Sequence, residues 1–243
     1  MTLTYVVNDN PADAASNMSR EKMNNEKRRI FSGTVFPYEV ASPIALVTGD
    51  DVIRLKNGRD LFMLYRQLGM GDVGTGGQTT VRWAENDMSL GIVSLPGVLL
   101  GGADEEHNFN RDFLEADGIF SVDLTNVNDG ERGSVCHTFM PGGVIWKQEV
   151  GFPIRILGFG MWFSGRGGPV AADTILTLKN VTDNVVIKTL TKSWDGNGDF
   201  EQVDDTLSSD VDATDELTVN LDEVGFGQGI LHWRILYAPF LED

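Results

Sequence analysis

The chain has 243 residues, of which 41% are hydrophobic and 23% are charged, a composition that excludes disorder as the default state. Acidic residues number 36 against 19 basic ones, and the resulting net charge of −17 at pH 7 excludes a general nucleic-acid binder, because so negative a surface repels phosphate. The single cysteine excludes an internal disulfide bond and a cysteine-based zinc site.

The sequence predicts no membrane partner. No apolar run reaches the roughly 18 residues of a membrane-spanning helix. Residues 1–30 also hold no apolar run long enough for a signal peptide. We therefore expect synthesis in the host cytoplasm, without export through a signal that the sequence shows.

Residues 1–29 are predicted to form an N-terminal extended arm. The segment has no continuous apolar face, so a helix there would bury little and would need a partner to be ordered. We expect its basic side chains to contact an acidic neighbouring subunit, with a solvated tail as the alternative. The residues of this docking arm are Arg20, Lys22, Lys27, Arg28 and Arg29.

Residues 30–140 are predicted to form a β-rich attachment region that carries one or two short helices. Short apolar runs, interrupted by prolines and by the Asn57-Gly58 turn signal, indicate strands. Arg59–Leu68 is predicted to be a helix, because its leucines recur at helical spacing and a glycine follows as a stop signal. Asp104–Ala116 is predicted to be a short acidic helix or an ordered loop.

Residues 141–243 are predicted to form an antiparallel β-sandwich of jelly-roll type. Pro141-Gly142-Gly143 is the candidate boundary of this domain, and a single continuous fold is the alternative. Short runs with alternating apolar and polar residues place one side of each strand on a core and the other in water. The clearest runs are Ile154–Phe163, Thr174–Lys179, Val185–Leu190, Glu216–Leu221 and Ile230–Tyr237.

Charge is unevenly distributed along the chain. No Lys or Arg lies between Lys192 and Arg234, whereas eleven acidic residues do. The basic arm and this acidic stretch lie towards opposite ends of the sequence. We therefore expect the arm to be the docking end of the protein and the acidic sandwich to be its displayed end.

A weak candidate for a calcium loop lies at the segment Asp195-Gly-Asn-Gly-Asp199. Asp195, Asn197 and Asp199 place oxygen ligands at alternate positions, as a calcium loop begins. The rest of the pattern is missing, since Phe200 replaces the turn glycine and Thr206 replaces the bidentate glutamate. A solvated turn is the alternative, and we predict no cofactor.

The sequence shows no catalytic motif, and the protein is predicted not to be an enzyme. His107, His137 and His232 are far apart, and none has a second metal ligand at helical or strand spacing. Cys136 precedes His137 in a predicted strand, where neighbouring side chains point to opposite faces and cannot form a good dyad.

Aromatic residues in the predicted sandwich could serve as a platform for sugars or as core. A sugar packs its apolar face on an aromatic ring, but aromatic side chains also fill cores. Trp194 is expected to be the most exposed and is the candidate glycan contact, because it borders the Asp195 turn. The other members of the set are Trp162, Trp233, Phe159, Phe163 and Tyr237.

The C-terminal part of the chain resembles β-sandwich domains of tailed-bacteriophage virion proteins. Three segments carry the resemblance: Phe152–Phe163, Thr174–Asn180 and Asp215–Gly225. They match a strand opening with Pro-Phe/Ile, a short hairpin that contains Asn, and a strand of Asp-Glu-Leu type. The similarity covers roughly residues 144–240.

This resemblance implies a structural virion protein, and we expect a capsid decoration or cement protein. Such a protein would be located in the virion and would bind the major capsid protein or other virion subunits. It would form a homotrimer. The alternative is a tail or head fibre, or a receptor-binding protein whose β-sandwich recognises a host surface glycan. A polysaccharide depolymerase and a calcium-dependent adhesion module are the remaining alternatives.

Overall fold

The computed structural model describes residues 28–45, 49–70, 78–96, 103–126, 132–167, 172–194 and 200–239. Within these ranges the regular secondary structure consists of β-strands. The described residues include no helix that could cross a lipid bilayer. The strands of these ranges are β1 (Arg29–Val35), β2 (Tyr38–Ala45), β3 (Gly49–Lys56), β4 (Leu61–Met70), β5 (Gln78–Glu85), β6 (Met88–Pro96), β7 (Ala103–Leu114), β8 (Ile119–Asn126), β9 (Arg132–Pro141), β10 (Gly143–Glu149), β11 (Ile154–Gly167), β12 (Ala172–Asn180), β13 (Val185–Trp194), β14 (Phe200–Asp204), β15 (Ser209–Val211), β16 (Glu216–Glu223) and β17 (Phe226–Pro239).

The strands form four antiparallel sheets that pack in pairs, which confirms the predicted β class and its antiparallel sheets. In the first sandwich, the sheet β2-β9-β4-β7 packs on the sheet β3-β8-β5-β6. In the second, β1-β17-β11-β14, with β15 also paired to β11, packs on β10-β16-β12-β13. The eight strands of each sandwich can be numbered 1 to 8 in chain order, with β14 and β15 counted as one strand. The two sheets of each sandwich then have the strand orders 1-8-3-6 and 2-7-4-5. Both sandwiches therefore have the strand order of a jelly roll.

The first sandwich is inserted into the second. β1 pairs with β17 over the full register from Arg29↔Tyr237 to Val35↔Leu231, although about 190 residues separate the two strands. The chain then builds β2 to β9 and enters β10 at Gly143, after Pro141 and Gly142. The second sandwich thus takes one strand from residues before 141. The predicted division into three segments remains a prediction.

The two predicted helices are not seen, and their segments are strands. Arg59–Leu68 overlaps β4, and Asp104–Ala116 overlaps β7. The helix prediction for the first segment was wrong because its continuous apolar run has a second explanation, a strand that is buried on both faces. The second segment pairs with the first, since β7 forms an antiparallel ladder with β4.

Side chains of β4 alternate between two cores. Leu61 and Met63 belong to the core of the first sandwich. Phe62 and Leu64 belong to the cluster that fills the second sandwich, together with Met140 from β9. The sheet β2-β9-β4-β7 therefore packs on its own partner sheet with one face and contacts the second sandwich with the other. Buried apolar side chains join the two sandwiches.

The backbone at the junction between the sandwiches is tightly packed. The N–H of Gly142 donates to the carbonyl oxygen of Asp60 at 2.9 Å. A Cβ atom on Gly142 would lie 2.7 Å from Cε2 of the Phe62 ring, closer than van der Waals contact allows. Gly143 has a φ of +62°, a conformation that glycine adopts without steric cost.

We expect Gly142→Ala to lower the free energy of unfolding by about 1–3 kcal/mol, because the methyl group displaces the buried Phe62 ring. Urea unfolding followed by tryptophan fluorescence measures the change. Gly58→Ala is the matched control, since a Cβ atom there meets nothing within 4 Å and the variant should retain wild-type stability. Equal stability of the two variants would contradict the packing at this junction.

Candidate functional site

A row of polar and aromatic side chains crosses the outer face of the sheet β1-β17-β11-β14. The register aligns Thr34 with His232, His232 with Trp162, and Trp162 with Glu201. Alternation along β11 places Met161 and its inward neighbours in the core and Trp162 on the opposite face. Each of the four strands therefore contributes one side chain to the row.

Trp162 and His232 form a stacked pair on this face. Their ring centroids are 5.2 Å apart and their planes differ by 11°. Thr34 Oγ1 and His232 Nδ1 share a hydrogen bond of 3.0 Å, which holds the imidazole from its other side. The half-buried indole is thus supported on one face by an oriented ring.

An open cleft of about 340 Å³ adjoins Trp162 at the end of the sheet. Phe163 and Phe200 border the cleft, and their rings stack with centroids 5.4 Å apart and an angle of 21°. Both phenylalanines are buried in the core of the second sandwich. The lining residues are Trp162, Phe163, Ser164, Phe200, Glu201 and Arg234.

Arg234 is the positively charged residue of the cleft lining, and it forms an ion pair with the adjacent Asp205 carboxylate. Its Nη2 donates to Oδ2 of Asp205 at 3.1 Å. The stem of Arg234 lies over Gly160, where a Cβ atom would be 3.3 Å from Nε and 3.4 Å from Cγ. With Glu201 also on the lining, two negative charges surround one positive charge.

Basic side chains form ion pairs with carboxylates of the acidic stretch between Lys192 and Arg234. At Asp204, the Lys188 ammonium and the hydroxyl and N–H groups of Thr206 hold the pKa of the carboxyl well below its usual range. The pairs in the described residues of this stretch are Lys188–Asp204, Arg234–Asp205, Arg155–Asp210 and Lys147–Glu216.

The predicted aromatic set is divided by the structure. Trp162 is half-buried beside the cleft, whereas the other described members are buried in the core, including Phe163, which also borders the cleft. Trp194 ends β13, and its side chain lies outside the described part of the chain. The buried members are Trp233, Phe159, Phe163 and Tyr237.

The predicted calcium loop lies outside the described residues, since Asp195, Asn197 and Asp199 all fall between β13 and β14. In the parts of the chain that the structure describes, no group of three or more metal-ligating side chains is found. The calcium site therefore remains a prediction from the sequence.

The docking arm is described only at its end. Arg20, Lys22 and Lys27 lie outside the described residues, while Arg28 precedes β1 and Arg29 begins it. β1 is an edge strand of its sheet. The guanidinium carbon of Arg29 lies 5.7 Å from the ring centroid of Phe152, within the range of a cation–π contact. The arm thus joins the second sandwich at an edge.

The histidines occupy different environments. His137 lies in the core of the first sandwich, where the indole N–H of Trp83 donates to its Nε2 at 2.6 Å and the edge of Phe120 packs against it at 5.1 Å. His232 lies at the surface beside Trp162. The side chain of His107, on β7, is outside the described part of the chain.

Cys136 lies on the face of β9 opposite to His137, as strand alternation predicts. Burial, together with a hydrogen bond to Glu39 and the negative charge of that side chain, raises the pKa of the Cys136 thiol to about 12. At neutral pH the group is therefore a protonated thiol, which is a poor nucleophile.

We expect native Cys136 to react with an aromatic disulfide reagent at least about 100-fold more slowly at pH 8 than the urea-unfolded chain does, because thiolate is the reactive form. Release of the coloured thiolate measures both rates. Glu39→Gln removes the negative charge beside the sulfur and should accelerate the native reaction. Equal rates in the native and unfolded chains would contradict the raised pKa.

Sequence reasoning missed Glu201, His232 and Arg234 as members of one site. A signal existed, because His232 and Arg234 are the polar members of an alternating apolar strand. Their meeting with Trp162 and Glu201 depends on the pairing of β17, β11 and β14, which no local pattern specifies. The cleft is therefore a product of strand order.

No family model matches this chain, and no curated protein matches it. Among solved structures, it is similar to PNGase F, a glycosylasparaginase from Flavobacterium meningosepticum, at 7% identity and a TM-score of 0.23, covering 86% of this chain and 96% of that one. A chain of Sulfolobus Turreted Icosahedral Virus has 12% identity and a TM-score of 0.23, with coverage of 85% and 93%. TM-scores at this level give no basis for transferring a fold or a function.

Proposed function

We propose that this protein is a structural virion protein of a tailed phage, which binds the capsid surface and stabilises it as a decoration or cement protein. The observation that carries the proposal is the pair of interlocked jelly rolls, joined through Phe62, Leu64 and Met140. Jelly rolls occur in viral capsid proteins and in lectins, so the fold supports a role in association. The distribution of charge along the chain favours attachment to a capsid.

Charge separates the arm from the body of the protein. Residues 1–29 contain five basic and four acidic residues, which leaves 14 basic and 32 acidic residues in the remainder, a net charge of −18. The arm enters the body at the edge strand β1. The net charge of the arm is only +1, but its five cationic side chains all lie between residues 20 and 29, where they are complementary to the acidic body of the next copy or to an acidic capsid subunit. This complementarity supports attachment through the arms, and the resemblance to virion proteins suggests that three copies associate.

Native mass spectrometry and cosedimentation with capsid shells from the same phage test this function. We expect the free protein to contain three chains and to cosediment with the shells. Shells that carry the protein should be disrupted at a higher temperature than bare shells, because a protein that binds only the intact shell stabilises it. A chain that leaves shell stability unchanged at saturating concentration would contradict the proposal.

A matched pair of variants tests the arm. Replacing Arg20, Lys22 and Lys27 with glutamine should weaken shell binding and make it less sensitive to salt, because the arm charges steer and hold the contact. The control removes the same charge from the body by replacing Lys147, Lys179 and Lys192 with glutamine. Equal effects of the two variants would show that net charge alone, rather than the arm, controls binding.

A further inference from the structure

We propose that the cleft beside Trp162 binds a neutral hexose residue of a glycan. This site goes beyond capsid attachment, since its ring Trp162 and its carboxylate Glu201 lie on the outer face of the sheet β1-β17-β11-β14 and it uses none of the arm residues. Three features of the cleft favour this ligand: the aromatic ring at its wall, its hydrogen-bonding groups and its charge.

The indole of Trp162 is presented as a preformed stacking surface. His232 covers one face of the ring at a centroid distance of 5.2 Å, and Thr34 holds His232 in place through a hydrogen bond of 3.0 Å. The part of the indole that lines the cleft is therefore oriented before a ligand arrives. The apolar C–H face of a pyranose packs on such a ring, and an oriented ring loses little entropy on binding.

The polar groups of the cleft suit sugar hydroxyls, which both donate and accept hydrogen bonds. The Glu201 carboxylate accepts, the Arg234 guanidinium donates, and the Ser164 hydroxyl does both. They line the same cleft as the half-buried Trp162, whose indole supplies the apolar surface. An apolar lining with a few convergent polar groups is the usual composition of a small-molecule site.

Charge selects for a neutral sugar. Arg234 is already paired with Asp205 at 3.1 Å, and Glu201 adds a second carboxylate to the cleft. A sialic or uronic acid would bring a further negative charge to this surface, on a protein whose net charge is −17. Like charges repel, so anionic sugars are disfavoured.

The size of the cleft limits what it can hold. Its volume of about 340 Å³ is at the lower end of the range for ligand sites, which is roughly 300–1,000 Å³. A terminal hexose or a disaccharide end fills such a space, whereas a longer chain extends into solvent through the open side.

Glycan-array binding of the full chain tests the proposal, with neutral glycans ending in galactose, glucose, mannose or N-acetylglucosamine and matched glycans ending in sialic or uronic acid. We expect binding to at least one neutral glycan and none to its acidic counterpart. Saturation-transfer NMR with the same neutral oligosaccharide should place its C–H protons against an aromatic ring.

Trp162→Ala should weaken binding of that neutral oligosaccharide at least tenfold, because the stacking surface is lost. Trp162→Phe should retain part of the affinity. Phe36→Ala is the matched control, since Phe36 is an exposed aromatic residue outside the cleft lining and its loss should leave binding unchanged. Melting temperatures of all variants separate loss of binding from loss of folding.

Three results would overturn the proposal: no neutral glycan bound at millimolar concentration, full binding by folded Trp162→Ala, or binding to acidic glycans alone. Self-association of the chain that is lost in Trp162→Ala would identify the cleft as an interface between copies and would also overturn it. Binding to capsid shells is a separate measurement, so failure of either proposal leaves the other distinguishable.

Discussion

Replacing Phe62 with alanine is expected to lower the free energy of unfolding by about 3–5 kcal/mol, the cost of removing a buried aromatic side chain from a core that collapses only partly. Phe62 is 3% exposed and extends from β4 of the first sandwich into the cluster that fills the second. Its loss therefore opens a cavity where the two sandwiches meet. Urea unfolding followed by both far-UV circular dichroism and tryptophan fluorescence measures the effect.

Phe113→Ala is the matched control for Phe62→Ala. The two rings are neighbours, with centroids 5.2 Å apart, but Phe113 is 43% exposed. Much of its area already contacts water, so its loss should cost about 1 kcal/mol or less. The variant Phe62→Ala should also separate the two optical transitions, because the sandwiches lose shared apolar contact. A cost as small as that of Phe113→Ala would contradict the buried interface.

Replacing Arg82 with methionine is expected to lower the free energy of unfolding by about 3 kcal/mol, because it leaves a buried carboxylate without this cation. Arg82 Nε donates to Oδ2 of Asp123 at 2.8 Å, and Asp123 is only 2% exposed. Arg82 itself is half-buried on β5, beside Asp123 on β8. The methionine side chain has a length similar to that of the methylene stem of Arg82, so the substitution removes the charge and retains most of the packing.

The double variant Arg82→Met, Asp123→Asn is the control for this ion pair. Neutralising the carboxylate removes the cost of burying a charge that has lost the Arg82 cation, so the double variant should regain about half of the lost stability or more. The single variant Asp123→Asn completes the double-mutant cycle. Unfolding of all the proteins of the cycle in urea at two salt concentrations should give similar coupling energies, because screening affects buried pairs little. Equal stability of Arg82→Met and the double variant would show that packing, rather than charge, causes the loss.

The insertion of one jelly roll into the other determines which sandwich the arm joins. The arm ends at β1, and β1 is paired with β17 before the first sandwich begins. A force on the arm is therefore transmitted to the second sandwich, whose outer sheet carries the Trp162 cleft. Attachment through the arm and recognition through the cleft would thus share one sheet.

Strand alternation predicted the second sandwich well. Ile154–Phe163 lies within β11, Glu216–Leu221 within β16 and Ile230–Tyr237 within β17. These strands have one face on a core and one face towards water or a polar row, so the period of two is visible in the sequence. The same principle placed Cys136 and His137 on opposite faces of β9.

The β4 segment shows where local patterns failed. Its residues contact two different cores on its two faces, so the apolar run is continuous and its leucines fall by coincidence at helical spacing. A sequence pattern reports whether a side chain is apolar, but it does not report which surface covers it. Only the packing of the first sandwich on the second decides that β4 is extended.

The sequence by itself determined the mainly β class, the acidic body and the positions of most strands after residue 150, because alternation and charge are local properties of the chain. The tertiary structure alone decided the pairing of β1 with β17, the insertion of the first jelly roll and the meeting of Trp162 with Glu201 and His232. Strand pairing depends on contacts between segments far apart in the sequence, and no period of two encodes which strands become neighbours.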